Sequence, residues 1–259
     1  MLSYQHLYHA GNMGDVHKHA LLAWVLDYLT RKDKPLTYIE THAGRGLYDL
    51  DAPEALKTGE AARGIDLAER WFAADHPYVR LLSQARAAHG PRAYPGSPLL
   101  AALALRPEDS LHLAELHPQE HAALADAMLF SQAICHRKDG LALALALAPP
   151  TPRRGLMLID PSYEVKDDYD ALPGLIATLA RKWNVGIVML WYPILASAAH
   201  LPMLATLAVA HPDALRHEVR FPPARPGHGM VGSGLFVVNP PWGLAEEALS
   251  LASRFSLFV

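Results

Sequence analysis

The chain of 259 residues contains one cysteine, Cys135, a scarcity that excludes an internal disulfide and any zinc site built on several cysteines. It has no apolar run of the roughly 18 residues needed to cross a bilayer. Its opening, Met1-Leu2-Ser3-Tyr4-Gln5-His6, lacks the charged-then-apolar layout of a secretory signal. A cytoplasmic protein with no membrane partner is expected. A strong charge of either sign is also absent. The formal net charge is -3, so a nucleic-acid partner would have to be met by a local basic face. Fifteen histidines invite a metal reading, but His17 and His19 point to different faces of a helix, no HExxH follows, and no metal is expected. A Walker phosphate loop is missing. Gly44-Arg45-Gly46-Leu47-Tyr48-Asp49 lacks the third glycine of a dinucleotide turn, and neither Ser97 nor Ser233 completes a G-x-S-x-G elbow, which sets aside a serine hydrolase.

What is present is a globular composition, 51% hydrophobic and 19% charged, with strand-like and helix-like segments in alternation. Gly14 to Leu29 carries apolar residues at helical spacing. Leu36 to Glu40 reads as a strand that runs into the turn Thr41-His42-Ala43-Gly44-Arg45-Gly46. Residues 51–93 are Ala-, Arg- and Glu-rich with helical periodicity and no strand-like run, and are read as a small helical subdomain inserted in a single domain, 1–259. Tyr94 to Pro98 is expected to be a loop, with a helix from Leu99 to Leu105. Strands are expected over Ser110–Glu115, Ala133–His136, Gly155–Ile159 and Val185–Trp191, separated by helices at Gln119–Leu129, Leu141–Ala148 and about Tyr169–Trp183. Two late strands, His217–Phe221 and Gly234–Val238, flank a Pro- and Gly-rich loop. The order predicts an α/β fold, with a mostly parallel sheet covered on both faces.

Four strands end in polar turns, at Thr41-His42, Glu115, Asp139 and Asp160. In an open parallel sheet such ends line one crevice. A carboxylate after the second strand suits a ribose diol. With no phosphate cradle, a nucleoside cofactor without phosphate is the better fit, and S-adenosylmethionine meets that description. Asp160-Pro161-Ser162-Tyr163 follows the most apolar strand in the chain. The exocyclic amine of adenine is a poor nucleophile because its lone pair is delocalised into the ring. The Asp160 carboxylate and the Pro161 carbonyl, accepting its two N–H bonds, would return that pair to nitrogen, while Tyr163 stacks on the extruded base.

The opening Met1 to His6 with His9-Ala10-Gly11-Asn12, then Asp15 to His19, Thr41 to Gly44, Tyr94 to Leu99, Glu115 to Pro118, Asp139-Gly140, the Asp160 motif, Leu190 to Pro193 and Asn239-Pro240-Pro241-Trp242 together resemble the RlmJ family of 23S ribosomal RNA adenine-N6 methyltransferases. The resemblance implies a Rossmann-like fold dependent on S-adenosylmethionine, with 23S ribosomal RNA as partner before full ribosome assembly, acting as a monomer. It implies cofactor contacts at His19, His42, Ser97, Glu115, Asp139, Gly140 and Asp160, a catalytic acid at Asp160, and an N-terminal substrate and catalytic region at Tyr4, His6 and Lys18. There a mobile aromatic and histidine tip would close over the adenine, while Lys18 would contact phosphate or orient loop groups.

Two departures stand out. Ser162 occupies the place of the family's second proline, which relaxes one φ restriction, and the chain ends at Val259, earlier than the family's usual C-terminus. Asn239-Pro240-Pro241-Trp242 looks by composition like an amino-methyltransferase motif, but it comes after the fifth strand and is read as structural or substrate-lining. Arg31, Lys32 and Lys34, with Arg63, Arg70, Arg80, Arg86 and Arg92 in the insertion, could track phosphates. DNA adenine methylation and a nucleic-acid binder that has lost catalysis remain the alternatives.

Overall fold

The computed structural model describes residues 5–164, 167–224, 227 and 229–258. A 3-10 turn, His6–Tyr8, leads into α1 (Met13–Thr30), which starts where the Asn12 side chain accepts the Asp15 N–H. β1 (Thr37–Glu40) follows. Next come β2 (Leu47–Asp49), the helices α2 (Pro53–Thr58), α3 (Glu60–Arg63), α4 (Ile65–Ala68) and α5 (Pro77–His89), then β3 (Ala93–Pro95) and α6 (Ser97–Ala104). The remainder alternates: β4 (Ser110–Ala114), α7 (Pro118–Ala127), β5 (Ala133–His136), α8 (Gly140–Leu147), β6 (Gly155–Ile159), α9 (Asp168–Lys182), β7 (Ile187–Leu195) and α10 (Leu201–Ala210). β8 (Leu215–Arg220), β9 (Met230–Val238) and α11 (Leu244–Phe255) complete it.

Seven strands form one sheet in the order β5-β4-β1-β6-β7-β9-β8. β5, β4, β1, β6 and β7 run parallel, while β9 is antiparallel to both β7 and β8. The two-residue alternation of the strands divides the core. Tyr38, Leu111, Leu156, Leu158 and Leu235 face the side covered by α1, α5, α6 and α11. Ile39, Met157, Ile159, Leu190 and Phe236 face α8, α9 and α10. α1 is buried over most of its circumference, wedged among α5, α6, α11 and β9.

The structure departs from the sequence expectations in several places, among them the two late strands, which run Leu215–Arg220 and Met230–Val238 rather than His217–Phe221 and Gly234–Val238. Tyr94-Pro95 is not loop but part of β3, which pairs antiparallel with β2, so a hairpin brackets the helices between them, and α6 starts at Ser97 rather than Leu99. Gly and Pro there mark the strand-to-helix corner, since Pro98 occupies the first turn, where its missing N–H costs nothing. The fifth sheet strand starts at Ile187 and runs to Leu195 through Pro193, two strand-like residues later and four further than expected. Helices α10 and α11 had no counterpart in the reading of the sequence.

Gly140 opens α8 directly against the end of β1. A Cβ there would lie 1.7 Å from the Thr41 carbonyl oxygen, so the close approach of helix to strand requires glycine. Gly140→Ala is expected to push α8 off the turn after β1 and to destabilise the fold by about 1–3 kcal/mol, read from chemical denaturation midpoints at constant m-value.

Candidate active site at the carboxyl edge of the sheet

β5, β4, β1 and β6 are neighbours and parallel, so the turns bearing Asp139, Glu115, Thr41-His42 and Asp160 emerge from the same edge. β1 lies between β4 and β6, which both follow it in the chain. This is the switch point at which an open α/β sheet forms its crevice. Glu115 is clamped there: one carboxylate oxygen accepts the Gly44 N–H at 2.9 Å and the other the His117 N–H at 2.7 Å. Gly44 takes φ +61, which a side chain would resist. Arg45 forks onto Glu120 at 2.6 and 3.0 Å and ties the same turn to α7. Asp139 caps α8 by accepting the Ala142 N–H at 2.7 Å. The His42 imidazole lies within electrostatic reach of both Asp160 and Asp139, but burial dominates and lowers its pKa. It shares a 2.7 Å hydrogen bond with Thr41 Oγ1.

α1 supplies the charged centre. Asp15, Lys18 and His19 share one helical face by their spacing of three and four. Lys18 Nζ lies 2.6 Å from Asp160 Oδ2 and 3.3 Å from Asp15 Oδ1, with 6% of its side chain exposed. Burial alone would favour a neutral amine; the Asp160 and Asp15 charges outweigh it and hold the lysine pKa above its ordinary range. Lys18 is therefore a fixed ammonium and no proton acceptor. Of the two roles expected for it, the geometry supports orienting the Asp160 loop; its burial takes it away from any external phosphate. Asp15 also accepts the Gly11 N–H at 2.9 Å and pairs with His6 Nε2 at 2.8 Å. Its burial is opposed by the charges of His6, Lys18 and His19, which keep its carboxyl well below the usual range.

Two residues expected at the cofactor lie deep. His19 is buried, with Nδ1 2.9 Å from the Tyr94 hydroxyl, and desolvation lowers its pKa to about 3. Ser97 is buried and donates its hydroxyl to Glu40. Glu40 was not singled out from the sequence, although an acid closing a β-type run before a glycine turn was the available signal. It is wholly buried, accepts the Tyr38 hydroxyl at 2.9 Å, and desolvation raises its pKa to about 8.

The 160–163 turn is held from both ends. Asp160 is pinned by Lys18, while the Tyr163 hydroxyl donates to the Trp191 carbonyl at 2.7 Å and its ring stacks on Tyr169 at 4.6 Å. Tyr163 sits at φ +56, in the left-handed region that a non-glycine residue occupies only under restraint. Pro161 is buried and Ser162 exposed. The Ser162 hydroxyl turns back to the Glu164 N–H at 3.5 Å, so the loop keeps its anchors without the second proline.

Tyr4 lies outside the described residues. His6, expected on the N-terminal tip, pairs with Asp15 and meets the Tyr48 ring edge-on at 5.3 Å. The following segment is fastened as well, the Tyr8 carbonyl accepting the Thr58 hydroxyl at 2.5 Å and the Gly11 carbonyl the Ile65 N–H at 2.8 Å. Asn239 follows the antiparallel strand β9, whose end pairs with the beginning of β7, and so stands at the edge of the sheet opposite Asp160. Its side-chain amide donates to the carbonyls of Gly186 at 2.8 Å and Asn184 at 3.2 Å. These contacts fit the structural part of the sequence reading of this motif. In the insertion, Arg80, Arg86 and Arg92 are engaged with Asp27, Glu69 and the pair Asp51 and Asp66.

Two expectations follow. Lys18→Met leaves the buried Asp15 and the half-buried Asp160 without the ammonium between them and should cost about 3–5 kcal/mol of stability at pH 7. The loss is read from denaturant melts at constant m-value. For Glu40 the folded state keeps a proton that the unfolded chain sheds above the ordinary carboxyl range. Its contribution is complete below that range and drains as pH rises to about 8. Against Glu40→Gln, wild-type stability should therefore fall by about 1.4 kcal/mol per pH unit across that window and level off beyond it. Parallel pH-stability curves for the two proteins would contradict this.

The model of the family described as ribosomal RNA large subunit methyltransferase D, RlmJ, matches residues 33–255. Ribosomal RNA large subunit methyltransferase J of Escherichia coli is 40% identical over 254 residues, covering 95% of this chain and 90% of its own. The protein of the same name from Haemophilus influenzae is 37% identical over 255 residues, with the same coverage. A crystal structure of a Legionella pneumophila protein superposes with a TM-score of 0.87 at 35% identity, covering 96% of this chain and 94% of that one. With its switch-point crevice, the Lys18–Asp160 centre and full-length similarity of this order, the chain belongs to the RlmJ family of ribosomal RNA large-subunit methyltransferases.

Proposed function

We propose that this protein transfers the methyl group of S-adenosylmethionine to N6 of one adenine in 23S ribosomal RNA, acting on RNA not yet fully assembled into the ribosome, as a cytoplasmic monomer. The observation that carries the reading is the Asp160 carboxylate, fixed by the Lys18 ammonium at 2.6 Å at the head of the turn that ends in Tyr163. The crevice fits the cofactor by the chemistry of its donor set. Glu115 is clamped by two backbone N–H groups but keeps outward lone pairs for a ribose diol, and the glycine turn at Gly44 and Gly46 allows close backbone approach. Glu115, Asp139 and the backbone around His42 and Gly140 would hold it. Ser97 and His19 support the floor from below. When bound, S-adenosylmethionine supplies an electrophilic methyl carbon.

The chain's own part is to prepare the nucleophile. Asp160 Oδ2 is committed to Lys18, which leaves Oδ1 to accept one N6–H, and the Pro161 carbonyl takes the other. Tyr163, held by Trp191 and Tyr169, offers the aromatic surface for the extruded base. A carboxylate paired with an ammonium is a weak base. That suffices, because an aromatic amine that has just gained a methyl group is strongly acidic and gives up its proton readily. The helical subdomain over 51–93, with Arg63 and Arg70 outside the ion pairs described above, is the proposed RNA-docking element.

Labelled methyl transfer to protein-free 23S ribosomal RNA, set beside assembled large subunits and genomic DNA, tests the reading. Label is expected in the free RNA, at an N6-methyladenosine, and in neither of the others. Asp160→Asn should lower kcat by about 10²-fold or more. Equal labelling of DNA would favour the DNA alternative, and tight RNA binding without label would favour the inactive binder.

A further inference from the structure

Behind the Lys18–Asp160 pair runs a second buried polar chain that methyl transfer, as described so far, does not use. Ser233 on β9 is fully buried, and its Oγ lies 2.8 Å from the indole nitrogen of Trp191 and 2.8 Å from His17 Nδ1. His17 Nε2 in turn lies 2.9 Å from His217 Nδ1. An indole N–H only donates, so Trp191 occupies an acceptor lobe of Ser233. In the tautomer that passes each proton one way along the chain, the Ser233 hydroxyl donates to His17 Nδ1. That places the His17 proton on Nε2, from which it is donated to His217 Nδ1. Burial, reinforced for His17 by its neighbour His217, keeps both rings neutral, as this one-directional chain requires.

The indole held in this way borders the reactive centre on two sides. The Lys18 ammonium lies 5.7 Å from the Trp191 ring centroid, and the Tyr163 ring is 6.2 Å from it. Consecutive residues of α1 thus act in opposite directions: His17 reaches Ser233 on β9, while Lys18 reaches Asp160 after β6. We propose that Ser233 is a positioning residue for the methyl-transfer reaction, fixing the Trp191 indole so that it backs the Lys18 ammonium and bounds the base-stacking face of Tyr163. This rests on the function proposed above. Without the hydroxyl, the indole loses its only described acceptor and can rotate away, and Lys18 loses the aromatic surface that limits where its charge can sit.

A double-mutant cycle on kcat separates positioning from bulk stability. Ser233→Ala and Trp191→Phe should each lower kcat by about tenfold. The double variant should fall no further, and KM for the RNA should move by less than about twofold in all three. A wild-type kcat in Ser233→Ala, or losses that multiply in the double variant, would overturn the proposal. Because loss of a buried hydroxyl also lowers stability, a second readout comes from protein labelled with ¹⁵N-tryptophan. The indole resonance that disappears in Trp191→Phe should shift in Ser233→Ala while the other four hold, and an unmoved resonance would equally overturn the proposal. If wild-type protein methylates no RNA, the proposed function fails, whereas the indole spectrum still decides whether Ser233 holds Trp191.

Discussion

The arrangement depends on one ammonium placed where water cannot reach it. Lys18 projects from a helix buried on nearly every side, and such a charge is tolerable only with counter-charges in contact. Asp15 provides one from the same helix and Asp160 the other from the end of β6. The requirement therefore fixes the height of α1 against the sheet. Sliding α1 by one turn would part the ammonium from Asp160, though not from Asp15 on the same helix, so this contact sets a register that apolar packing alone would leave loose. Asp160 is consequently held by the same contact that secures the helix, which makes the geometry of the reactive carboxylate a property of the whole core.

Around that contact the polar groups form layers. Glu40, Ser97, Tyr38, His19 and Tyr94 lie beneath the crevice, buried, with Glu40 bonded to both Tyr38 and Ser97 and His19 bonded to Tyr94. Glu115, Asp139, His42 and the glycine turn stand at its rim, where backbone N–H groups hold the acids but leave lone pairs facing out. A rim that orients its acceptors without exhausting them suits recognition of hydroxyl donors, and a buried, hydrogen-bonded floor keeps it from shifting. The antiparallel pair β8 and β9 adds the wall that carries Ser233, and it consigns Asn239 to the far edge of the sheet, where its amide bridges two carbonyls at the entrance to β7.

Much of the scaffold was legible because local chemistry and tertiary role agree there. The uninterrupted apolar run Gly155–Ile159 is a strand buried on both faces, and Asp139 before an alanine-leucine stretch is a helix cap. The β2–β3 hairpin was not legible. Its strands have three residues each, too few for alternation to register, and Pro95 with Gly96 carries the composition of a loop. Pro193 likewise obscured the end of β7. In α1 the sequence showed the apolar spacing, but not that His17, Lys18 and His19 are buried too, since a helix enclosed on all sides carries no polar stripe to mark its outer face. At the site, the strand-end acids and the Asp160 turn followed from topology. The Lys18–Asp160 bond spans 142 positions and the His17–Ser233 bond 216, and such contacts leave no mark in local spacing.

That last separation bears on how the molecule is made. α1 is synthesised before either of its partners, so Asp15, His17, Lys18 and His19 wait unanswered while the carboxylate that pairs with Lys18 arrives after β6 and the hydroxyl that pairs with His17 only with β9. A growing chain cannot assemble the reactive centre from α1 and β1 alone. Vectorial synthesis thus delivers a competent centre only once β9 has been made.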